Sequence, residues 1–114
     1  HIAAAGSIGQ AIDSARAGAP HLLRIEVEVT SQEELAEALA HRADIILLDN
    51  MSEKEIRQAV ATTDGRALLE ISGGVTLERL PALAQTGVDL ISIGALTHSA
   101  RAVDISLDIL PPQP

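Results

Sequence analysis

Phenylalanine, tryptophan, tyrosine and cysteine are all absent from this chain. Without aromatic rings the core must be assembled from Leu, Ile, Val and Ala, and no platform exists on which single-stranded bases would stack. Positive charge is scarce as well: eight Lys and Arg stand against sixteen Asp and Glu, a net charge of −8. Phosphate backbones are gripped by clustered cations, so nucleic acid is excluded as a partner. Without thiols there are neither disulfides nor thiolate metal sites, which fits a reducing compartment. Long apolar runs are also missing. Ile45 to Leu48 falls far short of a membrane span, and no signal peptide is visible.

What remains is enough for one domain: 114 residues, 46% of them hydrophobic. The chain opens on His1 inside what reads as a continuing segment, so a fragment or processed product is expected. Four apolar runs have strand character, LLRIEVEV at 22–29, DIILLD at 44–49, ALLEIS at 67–72 and DLISIG at 89–94, spaced by about 22 residues. Helical patterns separate them. Ser31 to His41 opens with a capping box, Ser31 and Glu34, and carries Leu35, Ala38 and Leu39 on one stripe. Ser52 and Glu55 form a second box ahead of Ile56, Ala59 and Val60. Thr76 is expected to cap a third helix, with Pro81 early in it and Gly87 ending it. A further helix, Ile8 to Ala17, precedes the first strand, boxed by Ser7 and Gln10 and stopped by Gly18.

Strands that alternate with single helices pair in parallel, because parallel neighbours need a crossover. The fold class is therefore α/β, a parallel (βα) repeat. In the first strand Ile25, Val27 and Val29 point one way and Arg24, Glu26 and Glu28 the other. The aliphatic side should meet the helices, leaving the acids on the inner face of a sheet or barrel. Four strands cannot close an eight-stranded barrel. Residues 1–100 thus read as part of an incomplete TIM-like barrel with two open edges, and such a unit should associate with something. After Gly94 the sequence predicts a short helical turn, then a strand within 101–110 that joins another sheet, then a disordered tail at 111–114.

In parallel α/β folds ligands bind beyond the carboxyl ends of the strands. The strands deliver Glu28, Asp49-Asn50, Ser72-Gly73-Gly74 and Gly94-Ala95-Leu96 to that rim. Glycine lets bare amides approach an anion, and a helix N-terminus adds a favourable dipole. A glycine pair also serves a tight turn, but Gly94 amid small residues in the next loop points to phosphate. Ser52 already caps its helix, so Asp49 is free for chemistry. Converging acids are costly unless they share a cation, and Mg2+ favours one or two carboxylates plus substrate phosphates. Glu28 and Asp49 are accordingly the candidate catalytic and metal-facing residues, and the deeper Glu26 has structural pairing as an equal alternative. His98 follows the second glycine loop, where phosphate contact competes with a capping role. His1 is assigned no role beyond nearness to the rim, and His21 and His41 read as surface residues.

Six blocks in order, HIAAAGS, IEVEV, ILLDNMS, EISGGVTLE, TGVDLISIGALTHS and DISLDI, resemble the carboxyl-terminal part of quinolinate phosphoribosyltransferases. The resemblance implies a seven-stranded incomplete α/β barrel preceded by a sandwich domain, with that domain and the first barrel strands lying upstream. It also implies transfer of ribose 5-phosphate from phosphoribosyl pyrophosphate to quinolinate, with decarboxylation to nicotinate mononucleotide. Mg2+, a cytoplasmic homodimer or higher homo-oligomer, and a role in de novo NAD synthesis come with it. By the same resemblance Glu28 and Asp49 face metal and ribose, Ser72, Gly73 and Gly74 form the phosphate loop, and Gly94, Ala95 and Leu96 form the second. One departure stands out. The Arg and Lys residues that grip quinolinate in this family are absent, so the isolated chain is expected to be inactive. Rival readings are a relative associated with molybdenum transport, a thiamine phosphate synthase-like phosphosugar barrel, and a non-catalytic phosphate-binding scaffold.

Overall fold

The computed structural model describes residues 6–94. Eight elements follow one another: α1 (Ile8–Gly18), β1 (Glu26–Val29), α2 (Gln32–Ala40), β2 (Ile45–Asp49), α3 (Glu53–Thr63), β3 (Leu68–Ser72), α4 (Leu80–Ala84) and β4 (Leu90–Ile91). The strands form one sheet in the order β1-β2-β3-β4, parallel throughout. Pairing is in step, with Val29 opposite Leu48 and Leu48 opposite Ile71. This is the α/β repeat that the alternating pattern predicts. The short helical turn expected after Gly94, the strand expected within 101–110 and the tail at 111–114 lie outside the described residues.

Alternation in β1 separates the two faces. Ile25, Val27 and Val29 are buried with Ile46, Leu48, Leu69 and Ile71, and the helices cover them through Ile12, Leu35, Ile56 and Leu83. Glu26 and Glu28 stand on the opposite face with Ile45, Leu47, Leu68 and Glu70, and among the described residues no helix covers that side. It is the inner face of a barrel wall. Asp44 and Asp89, each just ahead of a strand, tie the sheet at its lower end. Asp44 Oδ2 accepts the Ile25 N–H at 2.8 Å and Asp89 Oδ2 accepts the Leu69 N–H at 2.8 Å.

The helix signals hold in most places. Ser52 and Glu55 form a complete capping box at α3, and Ser7 accepts the Gln10 N–H at α1. Ser31 caps α2, but the Glu34 carboxylate reaches past it to the N–H (2.6 Å) and hydroxyl (2.9 Å) of Thr30. The expected third helix begins later than Thr76. Starting there, it would place Pro81 inside the helix, without an N–H for the Leu77 carbonyl and with its ring against it. Beginning at Leu80 instead puts the proline in the first turn, where no N–H is needed. The Thr76 hydroxyl is engaged by Glu78, whose carboxyl is held below its ordinary value of 4.5 by its own backbone N–H and then by that hydroxyl. Two strands are shorter than their apolar runs. Leu22 and Leu23 are exposed ahead of β1, and β4 is only two residues long.

Candidate functional site

The carboxyl ends of β2 and β3 build the site. Asp49 closes β2 opposite Ser72, the last residue of β3, and the Asn50 N–H extends the ladder by donating to the Ser72 carbonyl at 3.0 Å. Beyond that bond both chains turn sharply, with φ of 51° at Asn50, 73° at Gly73 and 62° at Gly74. A Cβ on Gly73 would lie 2.8 Å from Asp49 Oδ1 and 3.2 Å from the Asn50 nitrogen. One on Gly74 would lie 3.2 Å from Asn50 Oδ1. The left-handed conformation and the crowding therefore both call for glycine here. This answers why two glycines follow the strand: the turn folds tightly back over Asp49 and leaves its exposed backbone beside a carboxylate.

Glu28 shares the face. It lies opposite Leu47, and Asp49 is two residues further along that strand, which places the two backbones about 8 Å apart on neighbouring strands. Asp49 is half-buried and Glu28 exposed. Glu26 sits two residues deeper on the same face. Ser92, one step past β4, donates its N–H to the Ile71 carbonyl at 2.9 Å and its hydroxyl to Glu70 Oε1. This link fixes the end of β4 against β3. Among the described residues no group of three or more His, Asp or Glu side chains is placed to hold a metal. Two carboxylates on one face match a cation shared with a bound phosphate better than a protein cage.

Of the expected site residues, Glu28, Asp49, Ser72, Gly73 and Gly74 thus come together on one rim. Ala95, Leu96 and His98 lie outside the described residues, as does His1. His21 is exposed as expected. His41 is not a mere surface residue: its ring lies against Gly9, and Nδ1 is 2.9 Å from Asp13 Oδ2, clasping α2 to α1. The helix dipole expected at the glycine loop is not delivered by α4, which starts six residues beyond Gly74. Two residues escape sequence reading altogether. Glu70 accepts the Ser92 hydroxyl, and Arg79 donates through Nη1 to the Gly74 carbonyl at 2.7 Å. Neither contact follows a helical or strand period.

A parallel α/β wall with acids and a folded-back glycine turn at its carboxyl rim defines part of a TIM-like barrel of ligand-binding kind. The chain belongs to the family described as quinolinate phosphoribosyl transferase, C-terminal domain, whose model matches residues 1–108. It is 48% identical over 109 residues to the probable nicotinate-nucleotide pyrophosphorylase [carboxylating] of Bacillus subtilis, covering 96% of this chain and 38% of that protein. To the human nicotinate-nucleotide pyrophosphorylase [carboxylating] it is 37% identical over 112 residues, again covering 96% and 38%. The solved nicotinate-nucleotide pyrophosphorylase of Francisella tularensis superposes with a TM-score of 0.80 at 41% identity, over 93% of this chain and 38% of that one. The chain thus spans less than two fifths of the length of these relatives.

Proposed function

We propose that this chain supplies the phosphoribosyl-binding part of a quinolinate phosphoribosyltransferase. The supporting observation is the tight fold of the Gly73 turn over Asp49, such that a Cβ on Gly73 would fall 2.8 Å from Asp49 Oδ1, with Glu28 on the same face. In this reading the backbone of Ser72, Gly73 and Gly74 holds the 5-phosphate, and Asp49 and Glu28 stand beside the ribose. Carboxylates there stabilise positive charge that develops at the anomeric carbon as pyrophosphate departs. Mg2+ bound between pyrophosphate and these acids would neutralise charge on the leaving group. The second loop, Gly94 with Ala95 and Leu96, and His98 after it, complete the phosphate contacts. The substrates are phosphoribosyl pyrophosphate and quinolinate, and the assembly is a cytoplasmic homodimer or larger homo-oligomer.

Apart from Arg24 ahead of β1, basic residues for quinolinate's two carboxylates are lacking on the inner face among the described residues. Glu26, Glu28, Asp49 and Glu70 line it, so the chain alone forms no nicotinate mononucleotide. Binding is then the test. Phosphoribosyl pyrophosphate with Mg2+ should raise the melting temperature of the chain, and Asp49→Asn should abolish the rise while leaving the unliganded melt within a few degrees. No rise in the unsubstituted chain, or an equal rise in the variant, would sink the reading.

A further inference from the structure

The rim has an electrostatic problem. A phosphate monoester seated on Ser72-Gly73-Gly74 would sit beside Asp49, on a chain of net charge −8. Backbone amides donate hydrogen bonds but carry no net charge, so a cation close to the loop is needed. Three of the seven basic side chains of the described residues are committed to the outer layer. Arg16 binds the Arg42 carbonyl and Asp44, Arg57 binds the Gln85 carbonyl, and Arg66 binds the carbonyls of Thr62 and Thr63. Arg79 differs. Its Nη1 donates to the Gly74 carbonyl at 2.7 Å, and a Cβ on Gly74 would lie 3.4 Å from the same nitrogen.

A guanidinium carries five N–H donors in a rigid fork, and its charge persists at any working pH. The Gly74 carbonyl occupies one donor, and the two ion pairs of the described residues do not involve Arg79. The neighbouring Glu78 carboxylate is turned to its own N–H and to the Thr76 hydroxyl. Arg79 is half-buried, so its charge is less screened than that of a fully exposed side chain. The contact also has a local effect. By taking the Gly74 carbonyl, Arg79 fixes the outer half of a turn whose two glycines would otherwise be free to reorient.

We infer that Arg79 is the phosphate loop's own cation, anchored on the Gly74 carbonyl and supplying the compensating charge for a phosphate monoester at Ser72-Gly73-Gly74. The inference rests on the phosphate reading above and extends it to a residue five positions beyond the glycines. Arg79 binds and positions; it takes no part in bond breaking.

The test is calorimetric titration of the full chain with ribose 5-phosphate, with ribose as the phosphate-free control and KCl varied. Unsubstituted chain should bind ribose 5-phosphate and ignore ribose, with affinity falling as salt rises. Arg79→Gln keeps an N–H for the Gly74 carbonyl but removes the charge. It should lose about tenfold in affinity or more, and most of the salt dependence, with an unchanged melting temperature. Arg79→Lys should recover most of the loss. An unsubstituted chain blind to ribose 5-phosphate would remove the phosphate reading and this inference together. Binding by the unsubstituted chain with Arg79→Gln within about twofold would overturn the inference alone. So would Arg79→Gln and Arg79→Lys being equally weak, since charge would then not be what matters.

Discussion

Gly73 shows how a single position couples backbone geometry to the site. Its φ of 73° lies in the left-handed region, and a Cβ would meet both Asp49 Oδ1 and the Asn50 nitrogen. An alanine there adds left-handed strain of about 1–2 kcal/mol before any clash is counted. Gly73→Ala should therefore lower the melting temperature by several degrees, measured by circular dichroism. Gly74→Ala meets only Asn50 Oδ1 at 3.2 Å and Arg79 Nη1 at 3.4 Å, both side-chain atoms that can yield. It should be the milder of the two. A Gly73→Ala melt equal to the unsubstituted one would show that the turn is not held as described.

At the scale of elements, α1 is docked by polar clasps as well as by Ile8 and Ile12. Glu37 Oε1 on α2 accepts the Gly9 N–H at 2.8 Å. That bond foremost, then the Ser7 hydroxyl, and more weakly the charge of His41, hold the Glu37 carboxyl below its ordinary value of 4.5. A carboxyl with a lowered folded value stabilises the fold fully above the unfolded value and loses that contribution as pH falls through the folded one. The protection factor of the Gly9 amide, its exchange corrected for the intrinsic pH dependence, should therefore fall as pH drops below 4.5, beyond the change shown by Glu37→Gln. Identical acid profiles for the two proteins would contradict the clasp.

Much of this layer was legible in the sequence. The EVEV alternation sorted the two faces of β1 correctly, because a half-covered strand imprints a period of two. Ser52 and Glu55 announced α3, because a capping box is strictly local chemistry. Signals failed where distant groups decide. Pro81 moved the start of α4 past Thr76, and β4 is only two residues long where the apolar run is longer. Arg79 and His41 find partners outside any repeating pattern, and no periodicity marks such residues. At the site, Glu28, Asp49 and the glycines were readable from strand ends, whereas the tight fold of the Gly73 turn over Asp49 required coordinates.

For the whole molecule, the sheet has two unequal margins. Among the described residues β1 pairs only with β2, and a groove of about 710 Å³ lies beside it, lined by Ile8, Ala11, Ile12, Ile25, Val27 and Glu28. The inner face carries Leu90 at 45% exposure opposite Glu70, with Leu68 and Leu47 further across the sheet. Unpaired parallel edges and an apolar open face favour association. The isolated chain should self-associate with rising concentration in sedimentation velocity, and Leu90→Lys should weaken that tendency. A strictly monomeric chain up to millimolar concentration would argue that the inner face is satisfied within the chain itself. Among the described residues no helix is long and apolar enough to cross a membrane.

The close approach of α1 to α2 leads to a genetic expectation. A Cβ on Gly9 would fall within 2.8 Å of the His41 ring carbon Cε1, yet Gly9 lacks the left-handed backbone of Gly73. Saturation mutagenesis should thus return glycine at both 9 and 73. Trimming His41 to alanine should suppress the defect of Gly9→Ala, since the obstacle is one removable side chain. No second-site change at Asp49 should rescue Gly73→Ala, because the Asn50 backbone and the left-handed strain remain. Suppressor genetics would therefore separate a packing glycine from a loop glycine without any ligand in hand.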